Sequence, residues 1–157
     1  MKKNFKSILF SSIVLFSLFA GSCKKDNAEN LGPHLKMSMS DFYNDIYKPR
    51  DGNNLQILDY RSDIDFKAGH IWGAKNFEAT AQNTKENNGP FATFVLANFD
   101  TSRPIFLYGK GGDDLYFGNF VPGRVSKIGF GQQNTIFLTG GWDAWKDLGG
   151  PIGTGAQ

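Results

Sequence analysis

The chain has 157 residues and a formal net charge of +2. That length accommodates one domain with a proper core and excludes two ordinary ones, and the near-balanced charge provides no strong field for nucleic acid. The 15 Phe point to a core built on aromatic packing, which concerns burial rather than activity. At the start, Lys2, Lys3 and Lys6 form a positive region, residues 8–19 (ILFSSIVLFSLF) an apolar one, and Ala20, Gly21 and Ser22 a small-residue stretch before Cys23. This is the pattern of a cleaved secretory signal. The other reading, an uncleaved membrane helix, needs a run of ~20 apolar residues, longer than this one.

Cys23 is the single cysteine, so no internal disulfide can form. Its setting resembles the lipobox of bacterial lipoproteins, in which the cysteine is diacylated and becomes the mature N-terminus. Leu, usual three residues before the cysteine, is replaced by Ala20, with Leu18 displaced. The resemblance implies a membrane anchor, and several acyl chains hold where one would not; ordinary secretion with a free thiol is the alternative. Residues 24–33 (KKDNAENLGP) are too polar to join a core and read as a tether. Lysine followed by an acidic residue resembles the surface-export signal of some Bacteroidota lipoproteins, and the lack of Asp directly after Cys23 resembles outer-membrane sorting. The implied location is the cell envelope, at the outer membrane, on its periplasmic side or at the cell surface.

From there the elements follow in order. Ser40 can cap a helix over residues 41–47, with Phe42 and Ile46 on its apolar face, ended by Pro49 and Asp51-Gly52. Residues 55–60 (LQILDY) read as a strand that finishes at Asp59 and Arg61. Ser62 starts a helical turn through Phe66, closed by Gly69, and a small strand (AKNF) follows within residues 71–77. Residues 83–90 are loop-like. Residues 91–99 (FATFVLANF) fit a compact helix or a buried strand, with the helix favoured. Residues 105–108 (IFLY) and 135–138 (TIFL) are apolar strands. A crossover helix over residues 120–128, with Pro122 in its first turn, makes them a parallel, right-handed unit. Trp142 and Trp145 belong to a last short helix packed on the sheet.

Two segments resemble the rhodanese-like family. ILDYRSDIDFKAGHIWGAKNF (residues 57–77) carries its Asp-x-Arg at a strand end, an acidic-aromatic pair (Asp65, Phe66) and Gly-His-Ile-x-Gly-Ala-x-Asn. IFLTGGWDAWKDLGGPI (residues 136–152) is similar to the other end of the domain. The resemblance implies an α/β fold, a parallel sheet of about five strands with helices on both faces. The domain plan is then a signal peptide at 1–22, a polar tether at 23–37, the rhodanese-like domain at 38–152 and a flexible tail at 153–157.

In an open α/β sheet, chemistry gathers beyond the carboxyl ends of the strands. Here that place is the loop Gly109, Lys110, Gly111, Gly112, Asp113, Asp114, followed by Tyr116 and Phe117. In active relatives the resemblance implies a cysteine at the strand end, opening a loop of the type Cys-x-x-Gly-x-Arg-Ser that wraps a persulfide. In this chain Gly109 holds the cysteine position, and Asp114 and Leu115 fall where Arg and Ser are usual. A thiolate needs nested amides and a nearby cation, and two carboxylates replace the cation. His70 matches a family position read as structural, and no Cys or second ordered His is at hand for a zinc site. Asp59 and Arg61 offer either an anion seat or a pair that fixes the strand end, with Asp59 or the loop aspartates as the partner of Arg61; the pair is favoured. An amide nest at residues 109–112 with Lys110 is opposed by Asp113 and Asp114, which in turn fall short of the ~6–8 oxygens of a calcium site.

The expectation is a lipid-anchored, exported rhodanese-like domain without a catalytic residue, cofactor, metal or nucleic-acid partner. It would act as a binding module for an envelope protein through loop 109–118 and its aromatics Tyr116, Phe117 and Phe120, which suit an interface. The alternative is a sulfurtransferase-type or phosphatase-type enzyme with an unrecognised nucleophile.

Overall fold

The computed structural model describes residues 34–85, 88–111 and 117–156, Phe117 in its backbone alone. The expected signal peptide, Cys23 and most of the expected tether lie outside the described residues. Strand β1 (Leu35–Ser38) leads into a helix, α1, at residues 39–50, in which α-helical Met39–Asp41 and Lys48–Arg50 flank a wider π-helical stretch, Phe42–Tyr47. Then come β2 (Gln56–Asp59), α2 (Asp63–Ala68), β3 (His70–Ile71), β4 (Lys75–Asn76), α3 (Pro90–Asn98) and β5 (Ile105–Tyr108). The last part holds α4 (Phe117–Val125), a π-helical stretch Ser126–Phe130, α5 (Gly131–Asn134), β6 (Thr135–Thr139), α6 (Gly141–Asp147) and β7 (Ile152–Gly153).

Five strands form one parallel sheet in the order β1-β6-β5-β2-β4, and β3 pairs antiparallel with β7 in a separate two-stranded ladder. Alternation along the strands builds two cores. Ile57, Phe106, Tyr108 and Leu138 meet Phe42 and Tyr47 of α1, Phe66 of α2 and Trp145 of α6 on one face. Leu58, Ile105 and Leu107 meet Phe91 and Val95 of α3 and Val121 and Val125 of α4 on the other. The aromatic content therefore serves the core, as expected: Trp145 packs edge-on to Tyr47 at 4.7 Å and to Tyr43 at 5.2 Å between ring centroids.

Several boundaries differ from the sequence reading. The tether was expected to run to residue 37, but Leu35–Ser38 pairs with β6 in register from Leu35↔Ile136 to Ser38↔Thr139. Its side chains are only half-buried at best, so a strand at the sheet edge shows no hydrophobic run. The cap of α1 is Ser38, not Ser40: its hydroxyl accepts the Asp41 N–H at 3.0 Å. Pro49 sits inside the last turn, and the helix ends where Asp51 turns left-handed (φ 51°) before Gly52. Pro122 lies inside α4 rather than in a first turn at 120, because the helix already runs from Phe117. The tail expected from 153 begins with an ordered strand, Gly153 opposite His70, and the Gly155 N–H donates to Lys67 O at 3.0 Å.

Candidate functional site

The site is set by the pairing of β2 and β5, with Asp59 opposite Tyr108. One residue further on, the Tyr60 N–H donates to Tyr108 O at 3.2 Å, so Tyr60 and Gly109 leave the sheet side by side. Both carboxyl ends thus open on one crevice, the place where open α/β sheets usually hold ligands.

Below the crevice lies a buried ion pair. Asp59 is fully buried and Arg61 is 7% exposed. Arg61 Nη2 donates to Asp59 Oδ2 at 2.6 Å and to Gly69 O at 2.7 Å, and Nε donates to both carboxylate oxygens at 3.0 Å. The guanidinium carbon lies 4.6 Å from the Trp142 ring centroid and 5.5 Å from that of Tyr108. Burial pulls the Arg61 pKa down, but the hydrogen bonds and charge of Asp59, with Tyr108, outweigh it and raise it above its ordinary value. Burial first, and then Asp59, push the Tyr108 phenol well above its usual range, and its oxygen accepts the Ile71 N–H at 3.0 Å. Arg61 thus meets Asp59, one of the partners considered for it, while the loop aspartates lie outside the described residues; the pair ties β2 to α2, β3 and α6.

His70 is buried and stacks on Phe66 at 3.8 Å between centroids, with Nδ1 2.9 Å from Phe66 O. Its Nε2 would lie 2.5 Å from a Cβ placed at Gly153, so the ring fills the volume that this glycine leaves open. This is a packing position. Among the described residues, no three His, Cys, Asp or Glu come together as a metal site.

Above the ion pair the start of the loop is held tightly. A Cβ on Gly109 would lie 2.7–2.8 Å from the outer atoms of the Tyr60 ring, which is 6% exposed. The Trp142 N–H donates to Gly109 O, and the Asp143 N–H to Lys110 O, both at 2.9 Å. The first turn of α6 therefore directs two of its N–H groups at loop carbonyls. Gly141 allows this approach: its φ is +55°, and a Cβ there would be 2.6 Å from Gly109 O. Lys110 is exposed between two depressions. One of about 190 Å³ is bounded by Tyr60, Ser62, Asp65 and Glu78. The other, of about 420 Å³, is bounded by Gly69, Trp142, Lys146 and Ile152. A hollow of about 560 Å³ between Arg50, Asn54 and Arg103 lies at the opposite, amino ends of β2 and β5.

Of the expected site residues, Asp59, Arg61, Gly109, Lys110 and Gly111 come together here. Gly112, Asp113, Asp114 and Tyr116 lie outside the described residues, as does the side chain of Phe117. Phe120 is buried in the core between α4 and the sheet, not offered to an interface. Two residues of the site were not anticipated, Tyr60 and Gly141. Their signals, the middle residue of Asp-Tyr-Arg and the second glycine of Gly140-Gly141, are legible only once the loop is seen against them.

The model of the rhodanese-like domain family matches residues 43–148. The rhodanese-3-like domain of the Anabaena sp. protein Alr3790 is 26% identical, with a TM-score of 0.51, over 66% of this chain and 95% of that one. The BH2092 protein of Bacillus halodurans shares the fold at 16% identity and a TM-score of 0.54, over 76% of this chain and 77% of that one. A thiosulfate sulfurtransferase from Pseudomonas aeruginosa does so at 14% identity and a TM-score of 0.53, over 79% of this chain and 21% of that one. No curated protein is significantly similar to the chain.

Proposed function

The chain belongs to the rhodanese-like domain family, and on that premise we propose that it is a lipid-anchored, exported member without sulfurtransferase activity that works as a binding module in the cell envelope. The observation that carries this reading is the strand end at Gly109. A sulfur carrier needs a thiolate there, held by amides and a cation, and the residue present has no side chain. The loop carbonyls of Gly109 and Lys110 face the α6 amides at 2.9 Å, so those two N–H groups are already engaged within the protein. Cys23 stands 12 residues before Leu35, the first residue of β1, and the lipobox resemblance gives it a lipid rather than a sulfur.

What remains on this face suits recognition. Lys110 projects between the two depressions, and Ile152, half exposed, borders the larger one beside Trp142. An aromatic flanked by a cation is a common anchor of protein interfaces. The partner is therefore an envelope protein that meets the carboxyl-end face and loop 109–118. A photo-crosslinking residue in place of Lys110 in the full chain is expected to trap one discrete protein adduct in cells. The same group at Arg103, at the opposite pole, is expected to trap none. No adduct at Lys110, or equal adducts at both poles, contradicts the reading.

A further inference from the structure

Position 109 is closed by more than the loss of a side chain. The outer edge of the Tyr60 ring stands where the first atom of any side chain at 109 would have to go: Cε2 at 2.7 Å, and Cζ and Oη at 2.8 Å, from an ideal Cβ. Real Cβ atoms do not approach carbon this closely, so either the ring or the strand end would have to move. A ring edge can swing when it is exposed, but this one is 6% exposed and packs in the core with Leu58, Ala79 and Phe91. Its backbone is pinned on both sides, the N–H to Tyr108 O and the carbonyl to the Ala79 N–H, each at 3.2 Å. Swinging the ring away from Gly109 would therefore give up part of that burial.

We propose that Tyr60 occupies the seat of the strand-end side chain, so that the protein fills its own pocket mouth and residue 60 decides whether position 109 can carry a nucleophile. This rests on reading Gly109 as the position that a cysteine holds in active relatives. It adds that the change is a pair, Tyr60 with Gly109, and that a side chain restored at 109 alone is opposed by the ring. Tyr60 thus closes the strand-end mouth by volume.

The test is a double-mutant cycle in the full chain, read by thermal unfolding. Gly109→Cys is expected to lower the midpoint by about 5–10 °C, the usual range for overpacking in a domain of this size. In a Tyr60→Ala background the same change is expected to shift it by less than about 2 °C, because the obstructing ring is gone. Phenol at millimolar concentration is expected to raise the midpoint of Tyr60→Ala and to leave the unaltered chain unmoved, as a ring-shaped cavity takes a ring-shaped guest. Should Tyr60→Ala fail to fold, Tyr60→Leu keeps the inner part of the core filled and shortens the side chain short of residue 109. Equal shifts for Gly109→Cys in both backgrounds, or a Gly109→Cys chain as stable as its parent, overturn the proposal. Neither result bears on whether the unaltered chain transfers sulfur, which a turnover assay decides separately.

Discussion

Arg61 shows how a residue that resembles a ligand-binding group can be committed to the fold. Two charges out of water gain little over an apolar pair, but removing one partner strands the other. Asp59→Ala is therefore expected to cost about 3–5 kcal/mol of stability, seen as a lower urea midpoint. Arg61→Lys should lose much of that too, since an ammonium cannot reach both carboxylate oxygens and Gly69 O in the planar geometry seen here. The alkaline limb belongs to the phenols. Burial, then Asp51 and Tyr43, push the Tyr47 pKa from 10.0 up to about 12. A phenol charges as it loses its proton, so the stability tied to this shift is fully present below pH 10 and is lost as pH rises toward 12. Tyr47→Phe should flatten that decline while losing the hydrogen bond to Trp72 O, 3.1 Å long. Unfolding free energies measured across this pH range check it, and an unchanged slope in the variant contradicts it. At this scale Asp59 and Arg61 were legible from their spacing at a strand end. Tyr60 was not, because nothing in the order of residues tells that a ring on one strand reaches over the next.

Among the elements, α6 carries the loop. Its first turn meets Gly109 and Lys110 only because Gly141 is left-handed and lacks a Cβ. Gly141→Ala combines a left-handed penalty with a clash and is expected to cost about 2–4 kcal/mol. Gly149, near the other end of the same helix, is also left-handed (φ 67°) but has open space where its Cβ would be. Gly149→Ala should therefore cost about 1–2 kcal/mol, the conformational part alone. Equal losses at the two sites would mean that the contact with the loop contributes nothing. The elements most legible in the sequence were those with a strong pattern: β2, β5 and β6 as apolar runs, and α2 between its serine cap and Gly69. The strand β1 was hidden because an edge strand of four residues, with Lys36 exposed, looks like tether. The β3–β7 ladder escaped for another reason: two residues on each side hold no period, and their pairing is made across 80 residues of chain.

For the whole molecule, the parallel sheet places its functional candidates at one pole and the entry of the chain at the other. β1 runs parallel to β6, so the chain comes in at the amino ends, while Gly109 and Lys110 lie at the carboxyl ends. Cys23→Ser is expected to move the protein from the membrane to the soluble fraction with its thermal midpoint unchanged, and retention in the membrane fraction would remove the anchor from the account. Among the described residues no helix is long and apolar enough to cross a membrane. The fold was legible because both end motifs survive in order, whereas the state of the mouth depends on contacts between segments far apart in sequence. The central claim is that this mouth no longer handles sulfur. Its most direct measurement is the intact mass of the full chain, and of its Cys23→Ser variant, after incubation with thiosulfate, followed by thiocyanate release on adding cyanide. No added sulfur and no thiocyanate above the protein-free rate are predicted for both; sulfur carried by the Cys23→Ser chain and passed to cyanide would contradict it.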